Sequence, residues 1–309
     1  MEQEATPPRV SALIVSYNCV DNLRRCLEAL EKSGQRELLE IIVVDNGSRD
    51  GSASLDGEFP NTTFLRLPRN FGRAKALNIA MRSAHADYLL LLAPEVEVRP
   101  DTVSALAARL DADSDAVAVA PLLVDAACRP LSLVQPLPAL KDLGPLAWRS
   151  EPLETLPVDP ASAEPVPVPF PDFRAILLRK FFIRGLNYFD ERYGHHWLDA
   201  ELSMQIRRAG RKALLLAGVK VLCHPAKTSF PLTTDALAAL AADRALGAAT
   251  YAGKHFGMLA GLKLRAALVF GALGRTLAAA ATFRNPGFEF SRFYGILSGQ
   301  KIDGSQSAL

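Results

Sequence analysis

The chain has only four cysteines in 309 residues, Cys19, Cys26, Cys128 and Cys223, and no two form a C-x-x-C pair. That scatter argues against a zinc site or a disulfide framework and fits reduced thiols in a cytosolic protein. Charge of one sign is also missing. Thirty-five basic residues against 33 acidic ones leave a net +2, so the composition holds no attraction for nucleic acid. Met1 to Arg9 contain no apolar h-region and are not expected to be a secretory signal. No stretch reaches the ~20 apolar residues of a membrane span. The longest suspect, 258–283, is broken by Lys263, Arg265 and Arg275 and reads as amphipathic. After the first apolar run, where a nucleotidyltransferase needs a Gly-rich basic loop, the chain has Ser16-Tyr17-Asn18-Cys19.

What is present is apolar content of 49%, ample for a core. Two apolar runs, 40–45 and 88–97, end in acidic residues: Asp45 in the first, Glu95 and Glu97 in the second. Runs this apolar, set between helical patterns, read as strands of a parallel sheet covered on both faces. Ligands of open α/β sheets bind outside the carboxyl ends of such strands. Carboxylates placed there point to a metal, a nucleotide, or both.

The periodicity predicts strands over 10–16, 40–45, 63–67, 88–92 and 116–121, with helices over 74–84 and 101–110. It also predicts a helix opening at Asp21 as N-cap, with Leu23, Cys26, Leu27 and Leu30 on one face. Alternation of this kind implies right-handed crossovers and a doubly wound sheet. Residues 129–171 are rich in proline, and Pro165-Val166-Pro167-Val168-Pro169 lacks the N–H groups to sit inside a sheet. This segment reads as a long surface loop or as a flap over an acceptor site. An apolar run resumes at 175–178. A helix follows over 199–210, stopped by Gly210, then a strand over 212–222 and long Ala/Leu-rich helices after Thr234.

Placed in order, "VVDNGSRDGS" (43–52), Asn70-Phe71-Gly72-Arg73 with Asn78, "APEVE" (93–97), "FDERY" (189–193), "LDAEL" (198–202) and "RRAG" (207–210) form one pattern. It resembles the family 2 inverting glycosyltransferases of the GT-A fold, close to their rhamnosyltransferase-like branch, from Val10 to about His224. The resemblance implies a doubly wound mixed sheet over 1–230, with a C-terminal helical extension over 231–309. It implies a UDP- or dTDP-sugar donor, a divalent cation (Mg²⁺ or Mn²⁺) and hexosyl transfer to a glycan or lipid-linked acceptor. By that resemblance Ser16, Tyr17, Asn18, Asp45, Asn46, Gly72, Arg73, Asn78 and Glu95 bind the nucleotide sugar. Glu97 takes the principal metal-ligand position, His224 stands near the metal, and Asp199 is the general base.

Each side chain also has an ordinary local role open to it. Asp45 can cap the Asn46-Gly47 turn, Glu95 and Glu97 can form a solvated strand end, and Asp199 can be a helix N-cap. His224 can be a plain buried histidine, and Arg73 with Lys75 a solvated helix start.

The chain departs from the family at four places. Asn-Pro-Asp becomes Ala93-Pro94-Glu95, and Leu198 replaces the acid beside the base. Phe173-Arg174 stand where small residues are usual, and Gly194-His195-His196-Trp197 where aromatic and apolar residues are usual. Adjacent histidines rarely share one ion, so His195 and His196 read as acceptor-site or solvent-facing groups. These departures keep a second reading open: a degenerate nucleotide-sugar-binding scaffold.

From Thr234 to Ala281 apolar stripes alternate with Arg244, Lys254, Lys263, Arg265 and Arg275. Such a segment suits peripheral contact with the inner face of the cell membrane. It equally suits a helix pair packed on the catalytic domain, or a homodimer contact.

Overall fold

The computed structural model describes residues 7–131, 134–149, 153–162, 164–282 and 286–299. Parts of the expected proline-rich loop and of the C-terminal extension, and the first six residues, lie outside these. The strands are β1 (Val10–Ser16), β2 (Leu39–Asp45), β3 (Thr62–Arg66), β4 (Tyr88–Leu92), β5 (Val96–Glu97), β6 (Ala116–Val124), β7 (Val166–Pro167), β8 (Ala175–Arg179) and β9 (Lys212–Cys223). They form one sheet in the order β3-β2-β1-β4-β8-β6-β9-β5, with β7 on the edge of β9. Strands β3, β2, β1 and β4 run parallel. Strand β8 runs antiparallel between β4 and β6, so the sheet is mixed.

The pleat sends alternate residues to opposite faces. Ile41 and Val43 join one core with Leu23, Leu27 and Leu30 of α1 (Val20–Glu31) and Leu106 and Leu110 of α3 (Thr102–Ala112). Ile42 and Val44 join the other, with Leu77 and Met81 of α2 (Arg73–Ser83) and Leu198, Leu202 and Ile206 of α6 (Leu198–Arg208). Between these lie the short α4 (Leu143–Trp148) and α5 (Lys180–Gly185). Three helices close the described chain: α7 (Thr234–Phe256), α8 (Met258–Ala281) and α9 (Gly287–Ser298). Helix α7 packs on α4, α8 and α9, and its Ala245, Ala248 and Tyr251 share the core of α6.

Three local expectations need correction. Asp21 does not cap α1: Cys19 holds the N-cap position, and the Val20 N–H is met by Asp50 Oδ2 from another loop at 3.0 Å. Strand β6 does not stop at Pro121. A register shift there lets the strand continue to Val124, because an irregularity removes the need for a proline N–H. The proline-rich segment does join the sheet. In Pro165-Val166-Pro167-Val168-Pro169 the valine N–H groups fall on one side, and Val168 N–H donates to Ala213 O at 2.9 Å. The prolines therefore face the open edge, where no donor is needed.

Candidate active site

The carboxyl ends of β1, β2 and β4 meet at one rim of the sheet, with Ser16 opposite Asp45 in the β1–β2 register. Asp45 is buried, and its Oδ1 accepts the Ser48 N–H at 3.2 Å. Ser16 is also buried, its Oγ 3.3 Å from Cys19 Sγ. Tyr17 beside it is half-buried. Asn18 takes φ 48°, in the left-handed region that Asn tolerates. There it binds the neighbouring loop twice: its N–H donates to Ser48 Oγ at 2.9 Å, and its Oδ1 accepts the Arg49 N–H at 2.7 Å. Gly47 sits at φ +83°, and a Cβ there would lie 2.6 Å from Arg69 Cα. Only glycine lets this turn pass under the next loop.

Asn46 and Asn78 are both buried and engaged with backbone. Asn46 Oδ1 accepts Phe71 N–H at 2.9 Å, and its amide donates to Asn70 Oδ1 at 2.9 Å. Asn78 accepts the Phe189 N–H and donates to the Phe189 carbonyl, each at 2.9 Å. Its amide also reaches Glu191 Oε1 at 3.0 Å. These two side chains tie down the 70–72 turn, with Gly72 at φ +84°, and the "FDERY" loop. Arg73 donates to the Phe173 carbonyl at 3.0 Å. The Phe173 ring is buried in the core, so its bulk does not stand in the site.

Glu97 and His224 are brought together by the antiparallel β5–β9 pair. His224 Nε2 lies 2.8 Å from Glu97 Oε2, and Arg25 Nη1 lies 3.2 Å from His224 Nδ1. A guanidinium can only donate, so Nδ1 accepts and the ring proton sits on Nε2, directed at Glu97. In this arrangement His224 Nε2 donates to the Glu97 carboxylate. Asn22 holds Arg25 in place, Oδ1 accepting from Nη2 at 2.6 Å. Arg25, Asn22 and Asp50 were not singled out from sequence, since Arg25 meets His224, Asn22 meets Pro225 and Asp50 meets Val20 only in the fold.

Glu95 is half-buried, and its carbonyl accepts the His224 N–H at 2.9 Å. Burial pushes the Cys19 thiol up, with Asp50 and Glu95 both adding to the shift, so the loops after β1, β2 and β4 converge on it.

Among the described residues, no three His, Cys, Asp or Glu side chains converge as a ready-made metal cage. Glu97 nevertheless keeps 42% of its side chain exposed. Two glutamates at a strand end fit a hard divalent ion that keeps several waters and takes further oxygens from a ligand.

Asp199 stands in the first turn of α6, not at its N-cap, which is Trp197 at φ 70°. Its Oδ1 accepts the N–H of Ala200 at 2.9 Å. It lines a cleft of about 160 Å³ with His196, Arg244 and, from the proline-rich segment, Gln135, Arg149 and Phe170. Leu198 beside it is buried in the core.

Behind the cleft, Asp243 of α7 receives the N–H groups of His195 and His196 and, at 2.9 Å, His196 Nδ1. Burial opposes its charge, yet these bonds hold the carboxyl below the ordinary carboxylate range. Arg244 meets the other ring nitrogen of His196 at 2.9 Å, and Trp197 Nε1 donates to the Arg244 carbonyl at 2.8 Å. Helix α7 thus holds the segment that leads into Asp199. The sequence signal was an acid in the middle of an Ala/Leu-rich helix.

Comparison with known proteins gives consistent matches. The Glycosyl transferase family 2 pattern covers residues 11–155. N-acetylglucosaminyl-diphospho-decaprenol L-rhamnosyltransferase of Mycobacterium tuberculosis is 27% identical over 240 residues, 70% of this chain and 76% of that protein. An N-acetylglucosaminyltransferase of Sinorhizobium fredii is 29% identical over 110 residues, 34% of this chain and 27% of that protein. The uncharacterized glycosyltransferase YfnE of Bacillus subtilis is 33% identical over 100 residues, 31% of this chain and 25% of that protein. The matches to these last two span only about a quarter of their length. Among solved structures, GalNAc-T7 with UDP, GalNAc and Mn²⁺ superposes with a TM-score of 0.59 at 17% identity, over 75% of this chain and 47% of that one. A mannosyltransferase from Pyrobaculum calidifontis with GDP-Man and Mn²⁺ gives 0.52 at 18%, over 96% and 89%. The fold is GT-A, a mixed sheet with helices on both faces and further helices at the C-terminal end.

Proposed function

The chain belongs to glycosyl transferase family 2, and from that premise we propose that it moves a hexosyl group from a nucleotide-diphosphate sugar to a glycan or lipid-linked acceptor. The transfer inverts the anomeric carbon. The observation that carries this reading is the convergence of the β1, β2 and β4 loops, with Asp45, Glu95 and the Glu97–His224 pair at one sheet rim.

Asp45 and the Ser16-Tyr17-Asn18 loop hold the nucleoside of a UDP- or dTDP-sugar, and Arg73 stands at the start of α2 for the donor. Asn46, Asn78 and Gly72 set the loops around it and leave the direct contacts to their neighbours. Glu97, oriented by His224, and Glu95 would hold a Mg²⁺ or Mn²⁺ ion, which when bound neutralises the charge that grows on the diphosphate. Asp199 takes the proton of the acceptor hydroxyl as that oxygen attacks in line. The cleft beside it admits the acceptor, and the proline-rich segment forms part of its wall. The lipid-linked acceptor named for the mycobacterial relative is the model for the acceptor here.

The test is a screen of UDP-, dTDP- and GDP-sugars, each with Mn²⁺, Mg²⁺ or EDTA. Metal-dependent binding with slow hydrolysis of one donor supports the reading and identifies the sugar. The competing scaffold reading draws on Leu198, whose buried side chain leaves Asp199 without an acidic neighbour at that position. It is supported instead if donor binds and no acceptor is ever glycosylated.

A further inference from the structure

Helix α8 buries Gly261, Leu268 and Ala272 against its neighbours. Gly261 meets Gly253 of α7 so closely that a Cβ on it would lie 2.7 Å from the Gly253 Cα. Arg275 lies over the Trp148 ring of α4 at 4.8 Å. Its opposite face carries large apolar side chains in the open: Met258 is 74% exposed, Leu259 68%, Leu262 56%, Phe270 72% and Leu277 60%. Leu273 lies among them.

At the helical advance of about 100° per residue, these six fall within one arc roughly 120° wide. Lys263 lies just beyond one border of that arc and Arg265 just beyond the other. Helix α8 has no acidic residue at all. On α9, Phe290, Tyr294 and Leu297 are also more than half exposed.

We propose that α8 lies in the plane of a lipid bilayer rich in anionic headgroups, with the Met258–Leu277 arc inserted and Lys263 and Arg265 reaching the phosphates. Charge selects this occupant. A long apolar arc edged by cations is the composition that binds an anionic lipid interface, the basic stems lying along the apolar surface. A second copy docked through the same face would set like against like in a two-fold contact, and α8 offers no carboxylate to meet either cation. By length and composition alone α8 is apolar enough to cross a membrane. Its other face, however, is fixed to α7, α9 and Trp148, so it lies against the bilayer as the edge of a folded body. This docking is independent of the transfer reaction.

The test is flotation of the full chain with vesicles of phosphatidylcholine alone or mixed with phosphatidylglycerol. The wild type is expected to float with the anionic vesicles and to be released by salt. Leu262→Glu with Phe270→Glu is expected to stay at the bottom. Lys263→Ser with Arg265→Ser is expected to bind roughly thirtyfold more weakly, at about 1 kcal/mol per basic residue.

A second readout does not depend on that variant's folding. An environment-sensitive dye on Phe270→Cys, in a Cys128→Ser background, is expected to shift to the blue with anionic vesicles. The same dye on Phe181→Cys, exposed on α5, is not. Failure of the wild type to float, an unshifted dye at position 270, or a wild-type dimer that the glutamate variant converts to monomer without any flotation would each overturn the proposal.

Discussion

Glu97 and His224 are 127 positions apart in the chain and 2.8 Å apart in the fold. The contact exists because β5 and β9 pair antiparallel at the far edge of the sheet, with Glu97 opposite Leu222 and His224 following β9. Arg25 fixes the ring from behind.

If this pair orients the metal-position carboxylate, His224→Ala is expected to weaken Mn²⁺ binding in the presence of UDP or dTDP roughly ten- to hundredfold. His224→Gln, which still offers an N–H, is expected to lose less. Calorimetry on both variants decides it, and wild-type affinity in His224→Ala would remove the pair from the metal centre.

Asp199→Asn is expected to lower transfer by roughly 10²- to 10⁴-fold, the range of a lost general base, with donor affinity unchanged. Wild-type turnover in this variant would mean that another group takes the proton.

Asp243 is buried and bonded to His195 and His196, so its effect is expected to run through the loop that leads into Asp199. Asp243→Ala leaves two backbone N–H groups and His196 without their acceptor, and is expected to cost about 2–3 kcal/mol of stability. It is also expected to lower kcat with little change in donor affinity. A thermal melt and a kcat-against-KM comparison test the two parts separately.

Acid sensitivity is expected from Glu201. Burial works against its charge, but hydrogen bonds from His255, Lys254 and Gln205 overcome that and hold the carboxyl at about 2. Asp190, paired with Arg192 and Lys254, is likewise held down against its burial. A depressed folded value means that stability is complete above the ordinary 4.5 and drains away as pH falls toward about 2. Glu201→Gln is expected to cost about 3–5 kcal/mol at neutral pH, as for one partner removed from a buried ion pair. It should also flatten the acid limb of a Tm-against-pH curve; an unchanged limb would assign acid unfolding to other groups.

Gly47→Ala is expected to cost more than about 1 kcal/mol and to weaken donor binding, since the turn it closes carries Asp45 at its start. Equal donor affinity in the variant would detach Asp45 from the nucleoside.

Much of this architecture was legible in sequence because burial on both faces leaves a strong trace. The runs at 10–16, 40–45 and 88–92 fall on β1, β2 and β4 within a residue or so at each end. What escaped was set by distant partners. The cap of α1 comes from Asp50, because the turn after β2 delivers that carboxylate to the start of another helix. The bonds of Asn46 and Asn78 to distant loops were hidden similarly, because nothing in sequence marks which backbone groups an asparagine will meet. The Pro-Val-Pro repeat was read by what its prolines cannot donate, while the pleat let its valines donate on the one side that counts.

The reversed strand β8 has a consequence for how such a molecule can change. Because it runs against β4, the chain enters it at the rim where β4 ends, and the Arg174 carbonyl receives the Ala93 N–H at 2.7 Å there. Between Val124 and that entry the described residues add to the sheet only the two-residue β7, on the edge of β9, before the chain returns to the same rim. The described residues of this detour pair with none of β1, β2 and β4, so its length can change without shifting their register. Val134, Leu143, Ala147, Val168 and Phe170 stay held by the core they share with Ile42 and Val44. If the cleft that this detour helps to wall admits the acceptor as proposed, new acceptors can be recruited by rewriting one detour, while the β1–β2–β4 half is inherited intact.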